Sequence, residues 1–157
     1  PESGWDKVMD LNVKSPFFLT QQLYEPLKAA AKGGRLAKVI MIASIDGLRI
    51  NPWETYSYQA SKAALIHLTR RMANSLIKDG VAVSGIAPGA FASDMNRAAR
   101  DHEEMGAGMV PAGRIGTEED MAGAAIFLAS RAGDYVVGDT LAVDGGVAYA
   151  GFGHFGG

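Results

Sequence analysis

Residues 38–44 have the sequence KVIMIAS, a short and nearly continuous apolar run that ends on Ser44. Such a run is typical of a strand that is buried on both faces, as the strands of a parallel sheet are. Two further runs of this kind occupy residues 81–87 (VAVSGIA) and residues 139–143 (DTLAV). Together these runs predict the strands of the fold.

Helical patterns separate the predicted strands. Apolar residues recur near helical spacing over residues 5–32, where Pro16 and Pro26 are expected to bend or interrupt the helix. A long helix is predicted over residues 56–78, and another, capped by Thr117, runs to about residue 130. The chain thus alternates between helix and strand from one end to the other. This order predicts an α/β fold with a parallel sheet and right-handed crossovers.

The length of 157 residues suits a single domain or one piece of a larger domain. Three strands make a thin sheet, and the chain opens on Pro1 instead of an initiator methionine. We therefore expect the chain to begin in the middle of a gene product, with further strands upstream. Residues 1–157 are interpreted as one partial domain.

The composition excludes several kinds of site. The chain has no cysteine, which rules out disulfides, thiolate nucleophiles and cysteine-based zinc sites. Its three histidines lack metal-ligand spacing, so no metal site is expected. A net charge of −2 gives no reason to expect nucleic acid or an anionic membrane as a partner. No apolar run approaches the ~18 residues that span a bilayer, no signal peptide is visible, and the cytoplasm is the default expectation.

One pair of side chains indicates proton-transfer chemistry. Tyr58 and Lys62 are four residues apart, which places them on the same face of the predicted helix. A lysine ammonium there favours the phenolate form, so Tyr58 is a candidate proton donor to a carbonyl group. Tyr56 is an alternative donor, but Ala60 occupies the corresponding position after it. The spacing alone is a weak indicator and gains weight only from other motifs.

Several motifs fall in register with this pair. Ser44 ends the first strand fourteen residues before Tyr58, and Asn12 lies on the first helix in the segment MDLNV. Segments 88–89 (PG), 93–95 (SDM) and 138–146 (the last four VDGG) follow in order. With these residues the chain resembles the C-terminal two-thirds of a short-chain dehydrogenase/reductase. Within that family it is similar to the 3-oxoacyl (β-ketoacyl) reductase members, including the rhamnolipid-pathway ketoacyl reductase.

The resemblance implies a Rossmann-like doubly wound parallel sheet and an NAD(P)-dependent oxidoreductase that interconverts a carbonyl and a secondary alcohol. It implies that Tyr58 exchanges the proton, and that Lys62 assists it and hydrogen-bonds the nicotinamide ribose. Ser44 would hydrogen-bond the substrate oxygen. Asn12 would hold a water that relays protons towards Lys62, its backbone carbonyl being freed by a local irregularity of the helix.

The resemblance also implies where a cofactor would lie. Pro88, Gly89, Phe91 and Ser93 are expected to line the nicotinamide, although an ordinary strand-ending turn remains an alternative. NADP is slightly favoured over NAD by the likeness to the 3-oxoacyl reductases. The family's Gly-rich phosphate loop is expected N-terminal to Pro1, so this stretch alone is expected neither to bind cofactor well nor to catalyse.

Two other functions stay open. One keeps the chemistry and changes the substrate to a sugar, a steroid or another secondary alcohol. The other is a non-catalytic binding or scaffolding protein on the same fold. For the leading interpretation, an oxidoreductase, a homo-oligomer (either a tetramer or a dimer) is expected, built partly from the helices that carry Asn12 and Tyr58.

Overall fold

A computed structural model of the protein describes residues 1–91 and 107–150. Within them, strands β1 (Ala37–Ile42), β2 (Val81–Pro88) and β3 (Thr140–Val143) form one sheet in the order β1-β2-β3. Both pairings are parallel, with Ile42 opposite Ile86 in one and Pro88 opposite Val143 in the other. The predicted α/β fold with a parallel sheet is confirmed.

Helices connect and cover the strands. In the two described ranges, the connecting α-helices are α1 (Glu2–Met9), α2 (Ser15–Gln22), α3 (Tyr24–Ala30), α4 (Tyr56–Leu76) and α5 (Glu118–Ala129). A π-helical segment, Asp10–Lys14, joins α1 to α2. Short 3₁₀ turns occupy Ile45–Gly47, Ile77–Asp79 and Arg131–Gly133. The order of elements along the chain is the predicted alternation.

The two prolines of the first helical region act as expected. Pro16 lies in the first turn of α2, directly after the π-helical segment. Pro26 has no N–H for the carbonyl four residues earlier, that of Gln22, and α2 ends at that residue. Leu23, with φ −89° and ψ 2°, separates α2 from α3. The predicted interruption of the helix is therefore confirmed, and each break follows from a missing backbone donor.

The core is centred on β2, in which every residue except Pro88 is buried. Successive side chains of a strand point to opposite faces, and the two faces of β2 pack on different helices. Val83 packs with Leu65 and Met72 of α4, whereas Ile86 packs with Leu128 of α5. The sheet thus has α4 on one face and α5 on the other, which is the layering expected of a parallel sheet.

Strand β1 is less buried than its apolar sequence predicted. Met41 is buried, but Ile42 is 53% exposed. In the described part of the chain β1 pairs with β2 alone, so its other edge has no neighbouring strand. In the same ranges, no helix combines the length and the apolarity that crossing a bilayer requires.

Candidate active site

The carboxyl ends of β1 and β2 bring two of the predicted segments together. The Ala43 N–H donates to the Ile86 carbonyl at 2.7 Å, which continues the ladder one residue beyond β1. Ser44 follows at once, and Pro88 ends the neighbouring strand. Because parallel strands end at the same edge of a sheet, Ser44 and Pro88 leave that edge side by side, where open α/β sheets bind their ligands.

Ser44 is held in a tight turn. It is 8% exposed, and its Oγ accepts a hydrogen bond of 3.1 Å from the Asp46 N–H, which caps the 3₁₀ turn. Since Oγ acts there as an acceptor, the hydroxyl proton is available for another partner. Gly47 lets this turn rest on α4, because a Cβ at Gly47 would lie 2.6 Å from the carbonyl carbon of Lys62. The turn thereby fixes Ser44 relative to Lys62.

Tyr58 and Lys62 lie on one face of α4, as their spacing predicted. The Lys62 Nζ is 5.6 Å from the centroid of the Tyr58 ring, and Tyr58 itself is half-buried. Lys62 is 8% exposed, and its Nζ donates to the Ile42 carbonyl at 2.9 Å. Burial lowers the pKa of the Lys62 ammonium. The side chain of Lys62 therefore extends from α4 to the end of β1, close to the turn of Ser44.

Asn12 lies in the π-helical segment, so the predicted helix irregularity is confirmed. Pro16 stands four residues after Asn12 and has no N–H, so the ordinary α-helical bond to the Asn12 carbonyl cannot form. The side chain of Asn12 reaches α4, where its Nδ2 donates to Ser61 Oγ at 3.0 Å. Ser61 Oγ in turn donates to the Tyr58 carbonyl at 2.8 Å. Asn12 is thus connected to the helix that carries Tyr58 and Lys62.

The segment after β2 is positioned by backbone contacts. The Gly89 N–H donates to the Val143 carbonyl at 2.9 Å, and a Cβ at Gly89 would lie 2.6 Å from Asp144 Cβ. Phe91 pairs with Gly116 in an isolated bridge, and a Cβ at Gly116 would clash with the Phe91 ring. Ser93 lies outside the described residues. Pro88 is the last residue of β2, one residue beyond the predicted strand, and Gly89 and Phe91 follow it. Among the described residues, no contact between these three and Tyr58 is seen.

Three features of the site were not found from the sequence. The first two are Gly47 and Ser61. The third is a group of hydrogen-bonded polar side chains that holds the loop preceding α4. The Gln59 Nε2 donates to Asn51 Oδ1 at 3.1 Å and to Thr55 Oγ1 at 3.2 Å, and Asn51 is buried. The only signal in the sequence is the position of Gln59 directly after Tyr58. No cluster of potential metal ligands occurs in the described ranges.

Comparison with known proteins identifies relatives over nearly all of the chain. Residues 1–148 match the family model described as enoyl-(acyl carrier protein) reductase. The rhamnolipids biosynthesis 3-oxoacyl-[acyl-carrier-protein] reductase of Pseudomonas aeruginosa is 43% identical over 149 residues, covering 93% of this chain and 58% of that protein. The 2-dehydro-3-deoxy-D-gluconate 5-dehydrogenase of Escherichia coli is 40% identical over 149 residues, covering 92% and 57%. The chain spans less than two thirds of the length of these curated relatives.

Solved structures agree with these matches. The RhlG/NADP active-site complex of Pseudomonas aeruginosa superposes with a TM-score of 0.89 at 41% identity, covering 94% of this chain and 59% of that one. A short-chain type dehydrogenase/reductase from Mycobacterium marinum superposes with a TM-score of 0.84 at 30% identity, covering 95% and 58%. Sequence and fold lead to the same conclusion: the chain belongs to the short-chain dehydrogenase/reductase family.

Proposed function

We propose that the protein is an NADP-dependent oxidoreductase that interconverts a ketone and a secondary alcohol, with 3-oxoacyl groups as its substrates. The observation that carries the proposal is the buried Lys62 ammonium, which lies 5.6 Å from the Tyr58 ring centroid and bonds the carbonyl of Ile42 beside the turn of Ser44. A buried cation next to a phenol, at the ligand-binding edge of a parallel sheet, suits proton transfer to a bound carbonyl.

In the reductive direction, the Tyr58 hydroxyl donates a proton to the oxygen of the substrate carbonyl. Ser44 donates its hydroxyl proton in a hydrogen bond to the same oxygen, which stabilises the negative charge that develops there. This use of Ser44 is compatible with its turn, because the bond from the Asp46 N–H occupies a lone pair of Oγ and leaves the proton free. In the oxidative direction, the Tyr58 phenolate takes the proton back.

Lys62 supports Tyr58 by charge. When Tyr58 gives up its proton, the phenolate that remains is stabilised by the nearby ammonium, and this attraction is stronger in a buried site than in water. The bond from Nζ to the Ile42 carbonyl keeps the ammonium directed towards the end of β1. Asn12, whose carbonyl lacks its ordinary helical donor, would hold a water that returns the proton by way of Lys62.

The donors on this face fit a nicotinamide cofactor. An ammonium has three N–H groups, and Lys62 donates one to Ile42, which leaves donors for the hydroxyls of a ribose. Tyr58 and Lys62 would hold that ribose, while Pro88, Gly89, Phe91 and Ser93 would line the nicotinamide. When bound, this cofactor would supply the hydride as NADPH in the reductive direction and accept it as NADP⁺ in the oxidative direction. The choice of NADP is supported by the related structure that contains it.

Replacement of Tyr58 by Phe tests the proposal in the protein expressed from its native gene. We expect the kcat for NADPH-dependent reduction of a 3-oxoacyl thioester to fall by roughly 10²–10⁴-fold, because the variant lacks the donated proton. Tyr56→Phe is the matched control, since Tyr56 is 70% exposed on the same helix and has no lysine one turn later. Its kcat should stay within about twofold of the wild type.

Comparable kcat values for Tyr58→Phe and the wild type would overturn the mechanism. If neither protein reduced any carbonyl but NADPH still bound in a fluorescence titration, the fold would serve binding without catalysis. Absence of NADPH binding as well would favour the scaffolding alternative, because a scaffold needs no nicotinamide.

A second candidate function keeps this chemistry and takes a sugar acid as the substrate. It is favoured by the Escherichia coli 2-dehydro-3-deoxy-D-gluconate 5-dehydrogenase, whose 40% identity is close to that of the 3-oxoacyl reductase. A panel of 3-oxoacyl thioesters and keto sugar acids, compared by kcat/KM, separates the two substrates.

We also propose that the protein is a homo-oligomer that uses the first helices as an interface. Leu11 is 71% exposed, and Phe18 and Leu19 of α2 are 48% and 61% exposed, which leaves large apolar side chains uncovered on one stretch of helix. Exposed apolar patches of this kind commonly mark protein interfaces. Light scattering on the purified protein measures the number of subunits directly.

A further inference from the structure

Ser61 makes two hydrogen bonds at the centre of the candidate site. It lies three residues after Tyr58 and directly before Lys62, and its side chain is 0% exposed. Its Oγ accepts from Asn12 Nδ2 at 3.0 Å and donates to the Tyr58 carbonyl at 2.8 Å. One buried hydroxyl therefore joins the π-helical segment to the turn of α4 that carries the tyrosine and the lysine.

The π-helical segment needs such a contact. A π-turn is rarer than an α-turn and occurs mostly as a single turn at functional sites, so its geometry has to be held by the surrounding structure. The bond from Asn12 to Ser61 spans 49 residues of sequence and ties the middle of the π-turn to α4. Loss of that bond would leave the Asn12 side chain without its partner on α4.

A hydroxyl that bonds back to its own helix is common and does not by itself indicate a role. Thr69, two turns further along α4, is also 0% exposed, and its Oγ1 donates to the Leu65 carbonyl at 2.8 Å. Within the described residues, Thr69 forms no hydrogen bond to another helix. Ser61 differs from Thr69 because its Oγ also accepts a hydrogen bond from the side-chain amide of Asn12. A role of Ser61 beyond bonding to its own helix therefore depends on this second bond.

We infer that Ser61 is a positioning residue, which orients the π-turn at Asn12 relative to Tyr58 and Lys62 and so aligns the path by which the proton of Tyr58 is replaced. Ser61 touches neither substrate nor cofactor in this role and acts through Asn12. The inference rests on the proposed carbonyl reduction for its kinetic consequences, whereas the orientation of the π-turn is a property of the folded chain itself.

Ser61→Ala tests the inference, because alanine is almost isosteric with serine and is the best helix former. We expect kcat to fall about tenfold, the effect of one lost hydrogen bond, while KM for NADPH and for the carbonyl substrate stays within about twofold. The solvent deuterium isotope effect on kcat should rise, because proton replacement becomes slower. Hydrogen exchange of the Ser15 amide, which donates to Asp10 across the π-turn, should become faster.

Thr69→Val is the matched control, since it removes the other buried hydroxyl of α4 and keeps the side-chain volume. It should change neither the isotope effect nor the exchange of Ser15. A double-mutant cycle with Asn12→Ala adds a test of the path: if Ser61 acts through Asn12, the double variant should be no slower than Asn12→Ala alone.

Two outcomes would overturn the inference. One is equal behaviour of Ser61→Ala and Thr69→Val in kcat, isotope effect and Ser15 exchange. The other is multiplication of the Ser61→Ala and Asn12→Ala effects in the double variant. Either outcome can be distinguished from failure of the proposed function, because the Tyr58→Phe variant tests that function separately. In a protein without activity, the exchange of Ser15 would still show whether Ser61 orients the π-turn.

Discussion

The α4 side and the β2 side of the candidate site are held by different kinds of contact. On α4, side chains hold side chains: Lys62 reaches the end of β1, and Asn12 reaches Ser61. On the β2 side the backbone holds the segment, through the bond from the Gly89 N–H to Val143 and the bond from the Gly116 N–H to Ala90.

This difference predicts how each side fails. Where a side chain makes the contact, a shape-preserving substitution removes the chemistry and leaves the fold nearly unchanged. Where two backbones meet without space for a Cβ, no side chain carries the function, and any substitution at the glycine disturbs stability and ligand binding together. Activity and stability should therefore separate on α4 and change together beside β2.

Lys62→Met should give the largest effect. We expect kcat/KM to fall by at least about 10²-fold, because the phenolate of Tyr58 loses its neighbouring cation. The free energy of unfolding near pH 7 should not decrease, since methionine fills similar space without a buried charge. Steady-state kinetics and urea denaturation of the same two proteins measure both quantities. If Lys62→Met lost activity only because it was unfolded, activity and stability would not separate on α4, and the comparison between the two sides would be wrong.

The pH dependence of stability gives a second readout of Lys62. Burial lowers its pKa from 10.5, so between the lowered pKa and 10.5 the folded state binds fewer protons at this group than the unfolded state. Stability of the wild type relative to Lys62→Met should therefore rise as the pH rises through that window. A relative stability that fell with increasing pH would contradict the assigned cause of the shift.

Gly89→Ala should have the next largest effect, on the β2 side. The new Cβ would lie 2.6 Å from Asp144 Cβ and 2.7 Å from its Cα, so the two turns must move apart. We expect a loss of about 1–3 kcal/mol in the free energy of unfolding, together with a higher KM for NADPH. Thermal denaturation and cofactor titration measure the two effects.

Gly123→Ala is the matched control for this substitution. Gly123 lies in the interior of α5, and a Cβ there would meet no atom within 4 Å. Alanine should stabilise the helix by roughly 0.5–1 kcal/mol, which is a change of opposite sign. If both substitutions destabilised the protein equally, the close approach at Gly89 would not be the cause.

Asp120→Asn should have the smallest effect. It tests whether an exposed side chain on the β2 side contributes to stability or to activity. Asp120 accepts two bonds from Arg114, at 2.6 and 2.9 Å, and one of 2.9 Å from the Thr117 N–H at the start of α5. The Arg114 guanidinium, with the Thr117 N–H, holds the pKa of this carboxyl well below its usual range. We expect a slightly lower Tm at pH 7 and an unchanged kcat.

The sign of this effect follows from the depressed pKa. The stability that Asp120 contributes is fully present above its ordinary pKa of 3.8 and is lost as the pH falls through the lowered value. The difference in Tm between Asp120→Asn and the wild type should therefore shrink in strong acid. Glu25→Gln, which removes a single exposed contact of 3.6 Å to Lys28, should show no measurable difference at any pH.

Much of the fold could be predicted because its signals are local. Residues 38–44 and 81–87 are nearly continuous apolar runs, and the sheet places both beside each other with α4 between them in sequence. The spacing of Tyr58 and Lys62 needed nothing beyond helix geometry. The irregularity near Asn12 was predicted from the family resemblance, and Pro16 supplies its local cause.

The remaining features depend on distances that no local pattern contains. Ser61 and Asn12 are 49 residues apart, and a serine within a helix gives no signal of a partner on another helix. Gly47 looks like an ordinary turn residue until it is known that a Cβ at this position would lie 2.6 Å from the carbonyl carbon of Lys62. The exposure of Ile42 was missed for the same reason, since a strand's burial depends on which elements pack beside it.

The π-turn at Asp10–Lys14 also decides which residues α2 turns towards the protein. Such a turn contains one residue more than an α-turn, so every later side chain is displaced by about 100° around the helix axis. In a helix without the extra residue, Leu19 would point in the inward direction that Thr20 has in this structure. Thr20 is 6% exposed here, and Leu19 is 61% exposed. The π-helical segment that contains Asn12 thus rotates the side chains of α2 about the helix axis. This rotation makes the outer surface of α2 apolar without any change in the sequence of α2.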